Sequence, residues 1–204
     1  MFGITDYGTF IATILLFLLV PGPGNLALIT STTKGGFKGG FGSIFGVLVG
    51  DQILMWLAIA GMAAVMAAYP SAFAAVQWLG AAYLALLGVK MLLAKPGDAP
   101  ILNIKPRYYF RQSLLITLLN PKAIVFYMAF FPLFIDPARH QGMTTYLAMT
   151  ITSGTLMFMY GLTSVMLTHF LAARFRANPV LGRALEKIAG LCLVGFGIKL
   201  ALSK

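Results

Sequence analysis

Apolar residues run in long blocks along this chain, and polar residues collect in the short stretches between them. A helix needs about 20 consecutive apolar residues to cross the hydrocarbon core of a bilayer. Blocks approaching that length lie at about 9–30, 41–66, 71–93, 112–135, 144–171 and 179–202. The first has no charge, the second only Asp51, the third Lys90 near its end, the fourth only Lys122, and the fifth His169 near its end. The last is the weakest. Pro179 can start it, but Arg183, Glu186 and Lys187 leave a clean run only from Ile188 to Leu202, with Lys199 inside. Five spans plus an interfacial helix is therefore the competing count. The runs are continuous rather than amphipathic, so the pattern predicts an all-α polytopic membrane bundle of six transmembrane helices.

Composition agrees. Of 204 residues, 59% are hydrophobic and 10% charged, where a soluble domain carries about 25% charged residues. The net charge of +10 raises the question of a nucleic-acid partner. The positions of the charges answer it, because they fill the short loops where the positive-inside rule puts them. The first loop holds Lys34 and Lys38, the third Lys90, Lys95, Lys105, Arg107 and Arg111, and the fifth Arg174, Arg176, Arg183 and Lys187. The second loop, around 67–71, has none, and the fourth has only Arg139. Loops one, three and five are thus expected in the cytoplasm and both chain ends outside. Tyr108 and Tyr109 suit an inner aromatic belt, and Tyr69 and Tyr146 an outer one. No basic residue precedes the first apolar run, which argues against a cleavable signal peptide. The single cysteine, Cys192, excludes an internal disulfide, a CxxC redox centre and a thiolate zinc cage.

The third loop is also the one linker. Its core, "KPGDAPILNIKPR", is rich in proline and charge. It divides the chain into a first three-helix repeat (1–95), a cytoplasmic linker (96–111) and a second three-helix repeat (112–204). Three is odd, so similar halves would lie upside down to each other, a common transporter plan. Each half also interrupts its first span. The first carries Pro21, Gly22, Pro23, Gly24 and Asn25; the second carries Asn120, Pro121 and Lys122. Proline removes a backbone donor and clashes with the preceding turn, and each unsatisfied backbone group in hydrocarbon costs several kcal/mol. Corresponding breaks in two halves point to a central transport site. A packing kink is the plainer reading of a lone Pro121.

Asp51 and Lys122 are the two charges near the membrane centre, opposite in sign and at comparable depth. A charge there must face a partner or a cavity. One reading is a structural ion pair between the second and fourth spans. The other is a polar pocket for a zwitterion: its carboxylate against Lys122 and the start of a half-helix capped by Asn120, with Pro121 in the first turn; its ammonium against Asp51 and the freed carbonyls of the Pro21–Asn25 break. Asp51 can then also carry the coupling proton. Gly42, Gly46 and Gly50 form a small-residue ladder on the second span that permits close helix approach, within the subunit or in a homodimer. Tyr127 and Tyr160 lie mid-span. Ser153 and Gly154 stand where a repeat of Asp51 would fall, so the halves are not chemically equivalent.

The stretches "LLVPGPGNLALI", "GVLVGDQILMWLAIAG" and "LLNPKAIVFYMAFFPLFID" resemble, in order, three signatures of the LysE/RhtB family of bacterial amino-acid exporters. The last two are most similar to its leucine-exporter branch. The resemblance implies a proton-driven exporter of amino acids in the bacterial inner membrane. It assigns Pro21, Gly22, Pro23 and Asn25 to the first signature, Gly50 and Asp51 to the second, and Asn120, Pro121 and Lys122 to the third. Gly24 is a departure, since that branch is expected to place asparagine directly after Pro-Gly-Pro.

Other classes fare worse on the residues. The sequence has no phosphate-cradling G-x-x-x-x-G-K-[ST] loop, so ATP does not power it. A membrane enzyme of thiol–disulfide type needs a second cysteine, and an intramembrane protease needs paired aspartates, a Ser/His pair or a zinc motif. A permease for metal ions usually gathers several His, Asp or Cys ligands. No enzyme activity, cofactor or metal is expected. The expected partners are an amino acid, protons and membrane lipid. Apolar pocket walls and a single buried acid favour a neutral, aliphatic substrate over lysine or arginine.

Overall fold

The computed structural model describes residues 2–20, 22–68, 104–105, 107–136, 138–139 and 141–175, with single positions at 78, 82, 86, 89, 93, 191 and 194. The expected third and sixth spans, most of the second loop, Pro21 and Cys192 lie outside the described residues. The described ones are helical apart from short connections and one isolated bridge, Ile4 to Ile135. Helix α1 is Tyr7–Leu19, capped at its start by Asp6, whose carboxylate accepts from the Thr9 amide at 3.0 Å. Helix α2 is Pro23–Ala68, α3 is Tyr109–Leu118, α4 is Pro121–Phe130, continued by a 3-10 turn over Phe131–Phe134, and α5 is Met143–Phe175.

Pro23–Gly61 and Met143–Phe170 are long and apolar enough to cross a membrane, and α3 with α4, bent by 53°, makes a third candidate. The first of these is not a rod. Gly36 inside α2 has φ 57° and ψ −148°, a region open to glycine and closed to most residues. There the helix doubles back. A side chain at Gly39 would strike the Ser31 carbonyl, one at Gly40 would stand 2.7 Å from the Thr32 hydroxyl, and one at Gly24 would touch Val47. Each pair is spaced about equally on either side of Gly36, the contact pattern of an αα-hairpin. Residues 23–35 thus continue α1 beyond its break, and residues 37–68 are a separate helix long enough to span. The expected first loop between Lys34 and Lys38 is this tight turn.

The 37–68 arm is the centre of the packing. α3 runs alongside it in the same direction: cross-contacts step from Gly42 with Tyr109 to Gly50 with Thr117, and Ser43 and Ser113 share a buried 2.7 Å hydrogen bond. α5 runs the opposite way, from the Gln52 amide donating to the Thr150 carbonyl at 3.0 Å, through Ile44 with Gly161 and Gly40 with Val165, to His169 beside Gly36. The Gly42, Gly46, Gly50 ladder is therefore used inside the subunit, under α3, and no longer argues for a homodimer. The Tyr109 ring lies over Gly35 and Gly39.

The chain leaves this arm at Ala68 and is back at the Gly36 end by Ile104, whose carbonyl accepts from Lys34 Nζ at 3.1 Å. Lys34, Lys38, Lys105, Arg107 and Arg111 thus gather at one end, as the charge pattern anticipates. At the opposite end the amino-terminal segment joins the α4 side: the Thr5 amide donates to the Phe134 carbonyl and the Asp136 amide to the Gly3 carbonyl. Among the described residues, a broken helix pair followed by a long helix occurs twice.

Candidate functional site

A helix that ends inside a bilayer leaves its last carbonyls without amide partners. α1 ends this way at Leu19, with Val20 already extended. Its loose carbonyls are satisfied from elsewhere in the chain. The Asn25 side-chain amide donates to Leu18 O at 2.9 Å and Val20 O at 3.1 Å. Lys122 Nζ donates to Phe17 O at 3.1 Å and Val20 O at 2.7 Å. A lysine at a helix carboxyl end also complements the negative pole of the helix dipole. Gly22 leaves room for it: a Cβ there would stand 3.2 Å from Lys122 Nζ. Gly24 sits on the first turn of the next helical segment, against Val47.

The second break is built by local chemistry. Asn120 is extended and its side-chain oxygen accepts from the Lys122 amide at 3.1 Å; Pro121 follows at the start of α4. This is the expected cap. It turns the positive end of α4 toward the end of α1, so the two breaks meet.

Asp51 enters from the 37–68 arm. It is 4% exposed and Lys122 5%. The two form no ion pair; among the described residues the ion pair is Arg139 with Asp136, at 3.9 Å. Tyr127 is the other polar neighbour of Asp51. So the ion-pair reading is corrected: the lysine takes the open carbonyls of α1. Of the carbonyls beside the first break, those of Phe17, Leu18 and Val20 are taken by Lys122 and Asn25.

Asn25, Gly24, Asp51, Asn120 and Lys122 all line one cavity of about 20 Å³. Its other walls are Phe17, Leu18, Val47, Ala123 and Met157, together with Thr117. A water needs about 10–15 Å³ by this measure, so the cavity takes water and no larger solute. Thr117 was not anticipated. Its buried hydroxyl has no hydrogen-bond partner, the mark of a group that bonds to whatever occupies the hollow. Pro23 and Pro121 shape the breaks and do not line the cavity, and Gly22 reaches the site only through Lys122. Tyr160 and Ser153 lie on α5, outside the lining; the Ser153 hydroxyl is buried and also unpartnered.

Comparison with known proteins decides the family. The profile of the LysE type translocators matches residues 15–204. The chain belongs to the LysE type translocator family. This translocator is 35% identical over 208 residues to the leucine efflux protein of Salmonella typhimurium, covering 98% of this chain and 96% of the relative. It is 34% identical over 204 residues to the leucine efflux protein of Enterobacter sp. strain 638, covering 98% and 97%. An uncharacterized membrane protein of Pseudomonas aeruginosa is 34% identical over 207 residues, with 98% and 96% covered. No solved structure matches it. The translocator is thus a multi-pass membrane protein of a transport family.

Proposed function

We propose that this translocator exports neutral, aliphatic amino acids across the bacterial inner membrane in exchange for protons. The observation that carries the reading is the cavity at the meeting of the two breaks: one buried acid, one buried base and otherwise chiefly apolar walls. That set complements a zwitterion with an apolar side chain. The carboxylate goes to Lys122 and the amides at the start of α4, where the helix dipole favours an anion. The ammonium goes to Asp51, and the Thr117 hydroxyl bonds either group. The aliphatic chain lies against Leu18, Val47 and Met157. A basic side chain finds no second acid. The relatives named as leucine efflux proteins support the same substrate class.

An amino acid does not fit in 20 Å³, so binding requires the half-helices to part. The breaks supply the hinges. We take the halves as inverted repeats that rock about this site, with the basic Gly36 end in the cytoplasm. Asp51 carries the proton and exchanges it for the substrate ammonium.

The test is transport in proteoliposomes with an imposed pH gradient and a panel of amino acids. Leucine and its neutral aliphatic neighbours are expected to move, and lysine and arginine not. Asp51→Asn is expected to lose gradient-driven transport at least 100-fold. Transport by Asp51→Asn at the parent rate across the pH range overturns the proton role, and export of basic but not neutral amino acids overturns the specificity.

A further inference from the structure

Phe17 stands between the cavity and a column of aromatic rings. Its carbonyl accepts from Lys122 Nζ, and its ring lies 4.4 Å from that same ammonium, a cation–π contact. The ring also stacks on Phe126 at 3.9 Å and 17°. Phe126, Phe130 and Phe134 follow at four-residue spacing along α4 and its 3-10 turn, with centroids 5.1 and 5.2 Å apart. Phe10 of α1 closes the column at Phe134, 5.2 Å away. The column leads from the cavity to the end opposite Gly36, where the Thr5 amide bonds Phe134. All five rings are buried.

We propose that Lys122 and Phe17 form a latch by which a substrate carboxylate opens this aromatic gate. With Lys122 bonded to Phe17 O and Val20 O, the end of α1 is pinned to α4, Phe17 stays stacked on Phe126, and the path is shut. A carboxylate is a stronger acceptor for an ammonium than a peptide carbonyl, because both partners are then ionised and opposite in charge. It draws the ammonium off α1. The helix end then loses two hydrogen bonds and the cation–π contact together, and α1 is free to swing at its non-helical joint after Leu19. Phe17 is a positioning residue: it transmits the state of Lys122 to the gate. This rests on the amino-acid reading above and adds a requirement to it. An amine without a carboxylate, such as leucinamide, occupies Asp51 and leaves the gate shut.

The experiment uses Thr13→Cys as a reporter in a Cys192→Ser background. Thr13 is buried on α1, three positions after Phe10 and four before Phe17, and does not line the cavity. Its reaction with a membrane-impermeant thiol reagent is followed in right-side-out vesicles. Leucine is expected to raise the rate at least 5-fold and leucinamide to leave it unchanged. Lys122→Gln and Phe17→Leu are expected to raise it at least 5-fold without any ligand, and Phe17→Tyr to restore the slow rate. Leucine binding is measured separately on the parent. If leucine binds and neither leucine nor the two variants raise the rate, the latch is overturned. If leucine does not bind but both variants open the gate, the latch stands and the amino-acid reading falls. Equal acceleration by leucinamide also overturns the latch. The ligand arms need no gate substitution, so a variant that fails to fold leaves the test intact.

Discussion

A lysine in the hydrocarbon core needs anionic or carbonyl oxygens, and sequence offered Lys122 an obvious anion in Asp51. The structure gives it two carbonyls of α1 instead. The choice follows from the break: backbone acceptors without amides in a bilayer are as demanding as a charge. Asn25 meets the same demand with its amide. Its carbonyl contacts make a sharp prediction. Asn25→Ala removes two hydrogen bonds, and Asn25→Asp adds an anion facing two carbonyl oxygens. Asn25→Asp should therefore be the less stable of the two by roughly 1–3 kcal/mol, read as a lower melting temperature in detergent; the reverse order contradicts the assigned contacts. Asn120→Ala removes a cap and should lower stability by about 1 kcal/mol. Asn120 and Pro121 were legible because an N-cap and its proline are neighbours in the chain. The partners of Lys122 were not, because they lie about a hundred positions away.

At the scale of elements, glycine decides which helices touch. A Cβ at Gly46 would strike the Phe110 carbonyl, and one at Gly50 would stand 2.8 Å from the Thr117 Cβ. Backbone cannot step aside as a side chain can. At Gly154 the nearest atom is the end of the Gln52 side chain, 2.9 Å away. Gly46→Ala is thus expected to destabilise by about 1–3 kcal/mol through overpacking. Gly154→Ala should be near neutral, the shift of one flexible amide being offset by the gain in helix propensity of up to about 1 kcal/mol. Thermal unfolding of the two variants side by side checks the contrast. The ladder was visible in sequence, but spacing alone could not name the helix packed against it. The hairpin at Gly36 was legible as a basic loop and not as a turn of one residue, since only φ distinguishes the two.

For the whole molecule, the basic residues of two separate loops converge. Lys34 reaches Ile104, and Gly36 is met by His169 of α5. The Asp136 end is tied to Gly3 at the far side. Single cysteines replacing Lys38 and Arg107 should therefore react with an impermeant reagent in inverted vesicles only, and one replacing Asp136 in right-side-out vesicles only. Labelling of Lys38→Cys and Arg107→Cys from opposite faces would refute the shared end.

The linear order of residues by itself determined that this chain lives in a bilayer, where its helices break, how the second break is capped, and which family it joins. Those are properties of runs, neighbours and motifs, set by transfer free energies and backbone sterics that act locally. Tertiary structure alone decided that Lys122 binds α1 rather than Asp51, that Thr117 faces the cavity, and that an aromatic column stands over it. Each depends on which buried polar group or ring lies within a few ångströms once the helices have packed, and hydrogen bonds and close contacts vanish beyond that range.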